Sequence, residues 1–263
     1  CAALPCGSGD SSTDEIWKKI SPYFSPPSNL VNDFGKYKSP LIFYDGTAVK
    51  NPSHWQKRRQ EILAEWHGLM GSWPQLIEKP KIEYLARERR ENFTQHRVRC
   101  EIAPGGRMMA GYLLVPDGAR FFPAVIVVYY DPETAIGQGK ELRDFAYQLA
   151  KRGFVALSVG TPNSIYYPSE ENAQLQPLSA MAYAAANCYN ALANLAEVDP
   201  KRVGIVGHSY GGKWAMFASC LYDKFACAVW SDPGIVFDEA KPNVNYWEPW
   251  YIGYERGTKR RRG

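Results

Sequence analysis

Between Pro123 and Trp230 the chain switches repeatedly between two hydrophobic periods, and this alternation is its strongest constraint on fold. Pro123-Ala124-Val125-Ile126-Val127-Val128-Tyr129-Tyr130 is apolar throughout, as a strand covered on both faces must be. Leu142, Phe145, Ala146, Leu149 and Ala150 then recur at helical spacing, and Gly153 supplies a stop. Phe154 to Val159 reads as another buried strand, and Leu178, Met181, Ala185, Tyr189, Leu192 and Leu195 trace a second helix. Arg202 to Val206, Gly212 to Leu221 and Phe225 to Trp230 continue as strand, helix and strand. Upstream, Val98, Cys100 and Ile102 alternate with Arg97, Arg99 and Glu101, and Pro104-Gly105-Gly106 turns into a strand from Met108 to Val115. Antiparallel strands leading into repeated βα units predict an α/β fold, a mixed sheet with helices on both faces.

Residues 81–263 are expected to form this domain. Residues 1–80 read as an irregular and helical extension, because Gly, Ser and Pro are frequent up to Pro40. Within it, Ser53 is expected to cap a helix from Trp55 to Met70, whose apolar positions are Trp55, Ile62, Leu63, Trp66 and Met70.

The strand ending at Val206 runs into Gly207-His208-Ser209-Tyr210-Gly211-Gly212, with a helix behind it. A serine between strand and helix in G-x-S-x-G is held in an unfavourable backbone region, and residues two before and two after must be small. Gly207 and Gly211 meet that demand. Ser209 is therefore the candidate nucleophile, the Tyr210 amide one oxyanion donor, and Tyr130 or Asp131 the source of the second. The same residues match the phosphate-loop spacing through Gly207, Gly212 and Lys213. However, Trp214 stands where a Ser or Thr would hold magnesium, so the nucleotide reading fails on its metal ligand.

The run from Val198 to Gly212 resembles the α/β-hydrolase superfamily, within it the dienelactone-hydrolase and acetyl xylan esterase types, over about residues 81–237. A narrower likeness is to glucuronoyl esterases, whose G-x-S-x-x-G-K stretch is matched by Gly207, Ser209, Gly212 and Lys213, and whose acidic residue after the next strand falls on Asp232 in Ser231-Asp232-Pro233-Gly234. The resemblance implies a nucleophilic Ser209, a substrate-contacting Lys213 and an acidic Asp232. This chain departs from the pattern in His208, Tyr210 and Gly211, and in Asp for Glu.

A serine hydroxyl needs a base within reach, and in this fold the order is Ser, acid, His. His54, His67, His96 and His208 all precede Ser209. The chain is thus expected to stop before the strand that carries the catalytic histidine, and to have little esterase activity alone. Asp232 reads either as the acid that orients that histidine or as a structural Asp-Pro-Gly turn. Tyr246-Trp247-Glu248-Pro249-Trp250-Tyr251 could stack on sugar rings or pack as a lid.

These readings predict a serine hydrolase of carboxylic esters, with a carbohydrate ester as candidate substrate. The alternatives are a prolyl-oligopeptidase-type peptidase and a non-catalytic relative that binds carbohydrate through its aromatic stretch. No cofactor or metal is expected. The net charge of +4 comes from Lys259, Arg260, Arg261 and Arg262, without which the other basic residues balance the 27 acidic ones, so no nucleic-acid partner is expected. The longest apolar run is too short to span a bilayer. Six cysteines (Cys1, Cys6, Cys100, Cys188, Cys220, Cys227) show no metal-like spacing and are expected as buried free thiols. A first residue of Cys fits a processed, lipid-anchored bacterial protein or a sequence incomplete at that end, which leans the expected location towards extracytoplasmic.

Overall fold

The computed structural model describes residues 11–33, 35–118, 121–161 and 175–234. The aromatic stretch 246–251, the basic run 259–262, Cys1 and Cys6 lie outside them. The chain divides into two compact units, residues 1–58 and residues 59–263.

The first unit contains α1 (Ser11–Ile20), two short 3-10 turns (Ser21–Phe24 and Ser28–Leu30) and the start of α2 (Pro52–Met70). Ser53 was the expected cap, but the helix begins at Pro52, three residues before Trp55, and Asn51 caps it. The Asn51 side chain accepts from the His54 amide at 2.9 Å, and Pro52 occupies the first helical position, where its missing N–H costs nothing.

The second unit is a seven-stranded sheet: β1 (Ile82–Arg89), β2 (Phe93–Ala103), β3 (Arg107–Pro116), β4 (Phe122–Val128), β5 (Val155–Val159), β6 (Val198–His208) and β7 (Cys227–Ser231). Their order is β1-β2-β3-β5-β4-β6-β7. β1, β2, β3 and β5 pair antiparallel; β5, β4, β6 and β7 pair parallel. Helices α3 (Pro132–Ala135), α4 (Phe145–Lys151), α5 (Pro177–Ala193) and α6 (Tyr210–Leu221) make the crossovers. This is the mixed sheet that the alternating periods predict.

The core splits by strand face. Ile126 and Val128 of β4 join Leu157, Val159 and Ile205 against α5 and α6, whereas Val125 and Val127 join Ala156 against Ala135, Ile136, Ala146 and Ala150 of the α3–α4 side. Successive strand residues point to opposite faces, so an unbroken apolar run fills two cores at once.

Two further expectations fail. Leu142 does not open α4; it sits at φ 56° and is 82% exposed, so the helical spacing it shares with Phe145 is coincidental. Cys100 and Cys188 are buried free thiols, but Cys220 and Cys227 are exposed, since α6 turns Cys220 outward and β7 lies at the edge of the sheet. Among the described residues, no helix is long and apolar enough to cross a membrane.

Candidate active site

The sheet reverses its direction of growth at β4, with β5 on one side and β6 on the other. Chains leaving such neighbouring strand ends diverge to opposite faces and leave a crevice between them. A pocket of about 440 Å³ occupies this place, walled by Tyr129, Tyr130, Lys140, Glu141, Arg143, His208 and Ser209.

Ser209 stands between β6 and α6 at φ 57°, ψ −120°, a conformation that costs an L-residue of order 1–3 kcal/mol and must be held by its surroundings. Its amide donates to the Ser231 carbonyl at 2.8 Å, and its carbonyl accepts from the Lys213 amide at 3.1 Å. Close backbone approach enforces the rest. A Cβ on Gly207 would lie 2.0 Å from the Gly211 carbonyl oxygen, and one on Gly211 would lie 2.1 Å from that of Val128. Although Ser209 occupies the cap position of α6, its side chain caps nothing. Its Oγ instead meets the Tyr130 hydroxyl at 3.2 Å, its one side-chain hydrogen-bond partner among the described residues.

Aromatic rings surround this hydroxyl pair. Tyr130 packs edge-on against Tyr129 at 4.9 Å and stacks on Tyr210 at 5.8 Å, while Tyr129 stacks on His208 at 6.5 Å. The Tyr130 carbonyl accepts from both the amide and the hydroxyl of Thr161, at 3.2 and 3.0 Å, which fixes the turn after β4. Asp131, the other candidate at this turn, spends its carboxylate capping α3 through the Thr134 amide and hydroxyl.

His208 neighbours the nucleophile but turns away from it, with Nδ1 2.9 Å from Ser231 Oγ. Burial, then the Arg143 guanidinium, holds its imidazole below the ordinary value, against the opposing pull of Asp232. His67 meets the Gly71 carbonyl, and His96 packs on Tyr84. Asp232 is exposed at φ 48°, just past β7. Lys213 is fully buried in α6 and outside the pocket wall, and burial lowers its pKa to about 8.

Sequence reasoning expected the chain around Tyr130 to serve through a backbone amide; the side-chain hydroxyl is what reaches Ser209. It missed Tyr129, Lys140, Glu141 and Arg143. The only available sign was the charged run Lys140-Glu141-Leu142-Arg143-Asp144, which falls in the first connection after β4.

Comparison with known proteins agrees with this architecture. The glucuronoyl esterase of Solibacter usitatus superposes with a TM-score of 0.59 at 19% identity, over 73% of this chain and 62% of that one. The glucuronoyl esterase of Caldicellulosiruptor kristjansonii gives 0.53 at 22% identity, over 79% and 59%. A candidate acetyl xylan esterase from Bacteroides fragilis gives 0.57 at 14% identity, over 97% and 71%. The fold is that of the α/β-hydrolases. The chain spans less than two thirds of the length of either glucuronoyl esterase. The model of the prolyl oligopeptidase family matches residues 183–262, which include α6 and the serine turn. No curated protein sequence matches the chain.

Proposed function

We propose that the protein is a serine hydrolase of carboxylic esters, with Ser209 as nucleophile and esters of carbohydrates as its substrate class. One observation carries the reading: a serine strained at the strand–helix turn, released from helix capping, faces a pocket beside a tyrosine hydroxyl. The glucuronoyl esterases of the same fold support the carbohydrate part.

In this reading, Ser209 Oγ attacks the ester carbonyl carbon and the carbonyl electron pair moves to oxygen. The Tyr210 amide, at the positive end of the α6 dipole, and the Tyr130 hydroxyl donate to that oxyanion. Its collapse expels the alcohol and leaves an acyl-enzyme, which water then cleaves. The Oγ proton needs an acceptor, and His208 is committed to Ser231. The proposal therefore places the base outside the described residues.

Fluorophosphonate labelling tests this directly, with imidazole added as an external base. The reagent should phosphonylate Ser209 with loss of fluoride, give an adduct on the Ser209 peptide by mass spectrometry, and react faster as imidazole rises. Ser209→Ala should remain unlabelled. Absence of an adduct at every imidazole concentration would remove the nucleophile. The match to the prolyl oligopeptidase family favours a second reading, a peptidase built on the same serine. Imidazole-assisted cleavage of a proline-containing peptide amide, with an acetylated sugar ester left intact, would select it.

A further inference from the structure

Ester cleavage by Ser209 requires no charge in the pocket wall, yet three of its seven residues are charged: Lys140, Glu141 and Arg143. All three come from the connection between α3 and α4. That connection is pinned. The Gly137 and Gln138 amides donate to the Thr134 and Glu133 carbonyls at 3.1 and 3.0 Å, and the Lys140 amide donates to Thr134 Oγ1 at 3.4 Å. Lys140 Nζ lies 5.9 Å from the centre of the Tyr130 ring, whose hydroxyl touches the nucleophile. The Arg143 guanidinium donates to the Leu142 carbonyl, and its charge is felt at His208, next to Ser209.

Neither cation makes an ion pair among the described residues, although carboxylates are near in sequence. Asp131 caps α3, Glu133 accepts from the Tyr112 hydroxyl, and Asp144 accepts from Gln148. Glu141 is exposed and makes no ion pair with either cation. Among the described residues, two positive charges against one negative thus line the pocket that presents the nucleophile. Low-dielectric walls such as the Tyr129 and Tyr130 rings focus that imbalance onto whatever enters.

We propose that Lys140 and Arg143 select esters that carry a second, ionised carboxylate elsewhere in the same molecule. This rests on the pocket being the ester site of Ser209. A planar guanidinium fits a carboxylate through two parallel hydrogen bonds, while the lysine supplies a mobile point charge beside it. Substrates of this class are monoesters of dicarboxylic acids and esters of sugars that bear a free uronate. Both cations are at least partly exposed, so their joint preference is modest, about fivefold in affinity.

Binding separates this inference from catalysis. Monomethyl succinate and dimethyl succinate differ by one charge, and their affinities for the Ser209→Ala protein can be measured by NMR titration. The monoester should bind about fivefold more tightly at low salt, and the preference should shrink as salt screens it. Lys140→Gln and Arg143→Gln should each reduce it, and the double variant should abolish it. Equal affinity for the two esters, or a preference that survives the double variant, would overturn the proposal. Charge preference with no fluorophosphonate adduct at Ser209 would uphold anion recognition and overturn the esterase reading beneath it.

Discussion

Ser209 can hold its strained backbone only because nothing projects from residues 207 and 211, and both clashes that a side chain would create there are with main-chain atoms that cannot swing aside. Gly211→Ala should therefore cost about 2–4 kcal/mol, read as a lower urea midpoint, and should also abolish fluorophosphonate labelling. Tyr130→Phe keeps the ring packing and removes one oxygen, so stability should hold while the labelling rate falls on the order of a hundredfold. An unchanged rate would show that the hydroxyl is a bystander. Lys213 offers a test through pH. Burial lowers its pKa from 10.5 to about 8, so between these values the unfolded chain keeps a proton that the folded chain has lost. Stability then rises with pH across that window, and below about 8 the penalty of the buried charge is fully present. Urea titrations should show wild-type stability rising with pH between about 8 and 10, a rise that Lys213→Met should lose. At this scale the strained serine and its glycines were legible, because backbone geometry restricts residue type. The Tyr130 hydroxyl was not, because its direction depends on how the turn after β4 folds back on Thr161.

Helix α5 shows the same division at the scale of an element. Its stripe of Leu178, Met181, Ala185, Tyr189 and Leu192 is buried, as its spacing predicts, but the helix ends at Ala193 and leaves Leu195, also expected on it, outside. Yet 14 of its 17 residues are buried, including Ser179 and Asn187 on the side that polar residues would assign to solvent. That side is covered by residues 71–80, which have neither helix nor strand to satisfy their backbone groups and take side-chain partners from α5 instead. Trp73 donates to Ser179 Oγ, and the Tyr183 hydroxyl donates to the Gln75 carbonyl. Asn187, Asn190 and Asn194 follow one face down the helix. Asn187 accepts from the Ile77 amide at 2.9 Å and donates to the Ile102 carbonyl at 2.9 Å, while Asn190 and Asn194 donate to the carbonyls of Ile77 and Glu78. An asparagine ladder is invisible to hydrophobic periodicity, because each amide reads as a surface residue. Asn187→Leu keeps the volume but leaves two backbone groups buried without partners. It should cost about 2–4 kcal/mol in urea unfolding. A loss below about 0.5 kcal/mol, ordinary for surface substitutions, would mean that water replaces the amide.

Across the whole second unit, the two faces of the sheet differ in how firmly they are covered. One carries α5 and α6, with Trp214, Met181 and Leu178 fully buried; the other carries the short helices α3 and α4, in which only Ala146 and Ala150 of the seven α4 residues are buried. The apolar strand runs announced a sheet covered on both sides but could not announce this inequality, because each strand contributes equally to both faces. The pocket takes its charged wall from the thinner side, where Lys140, Glu141 and Arg143 connect α3 to α4. Elements with little buried apolar area open locally at a free energy below that of global unfolding, whereas thickly covered ones exchange only when the domain unfolds. Native-state hydrogen exchange should therefore give α5 amides a protection free energy equal to that of urea unfolding, with α4 amides clearly below it. Urea dependence should separate them further, since the opening of α4 exposes little surface and its slope should be shallow. If α4 and α5 exchange with the same free energy and slope, the two layers form one cooperative unit. The pocket wall would then be as rigid as the serine turn opposite it.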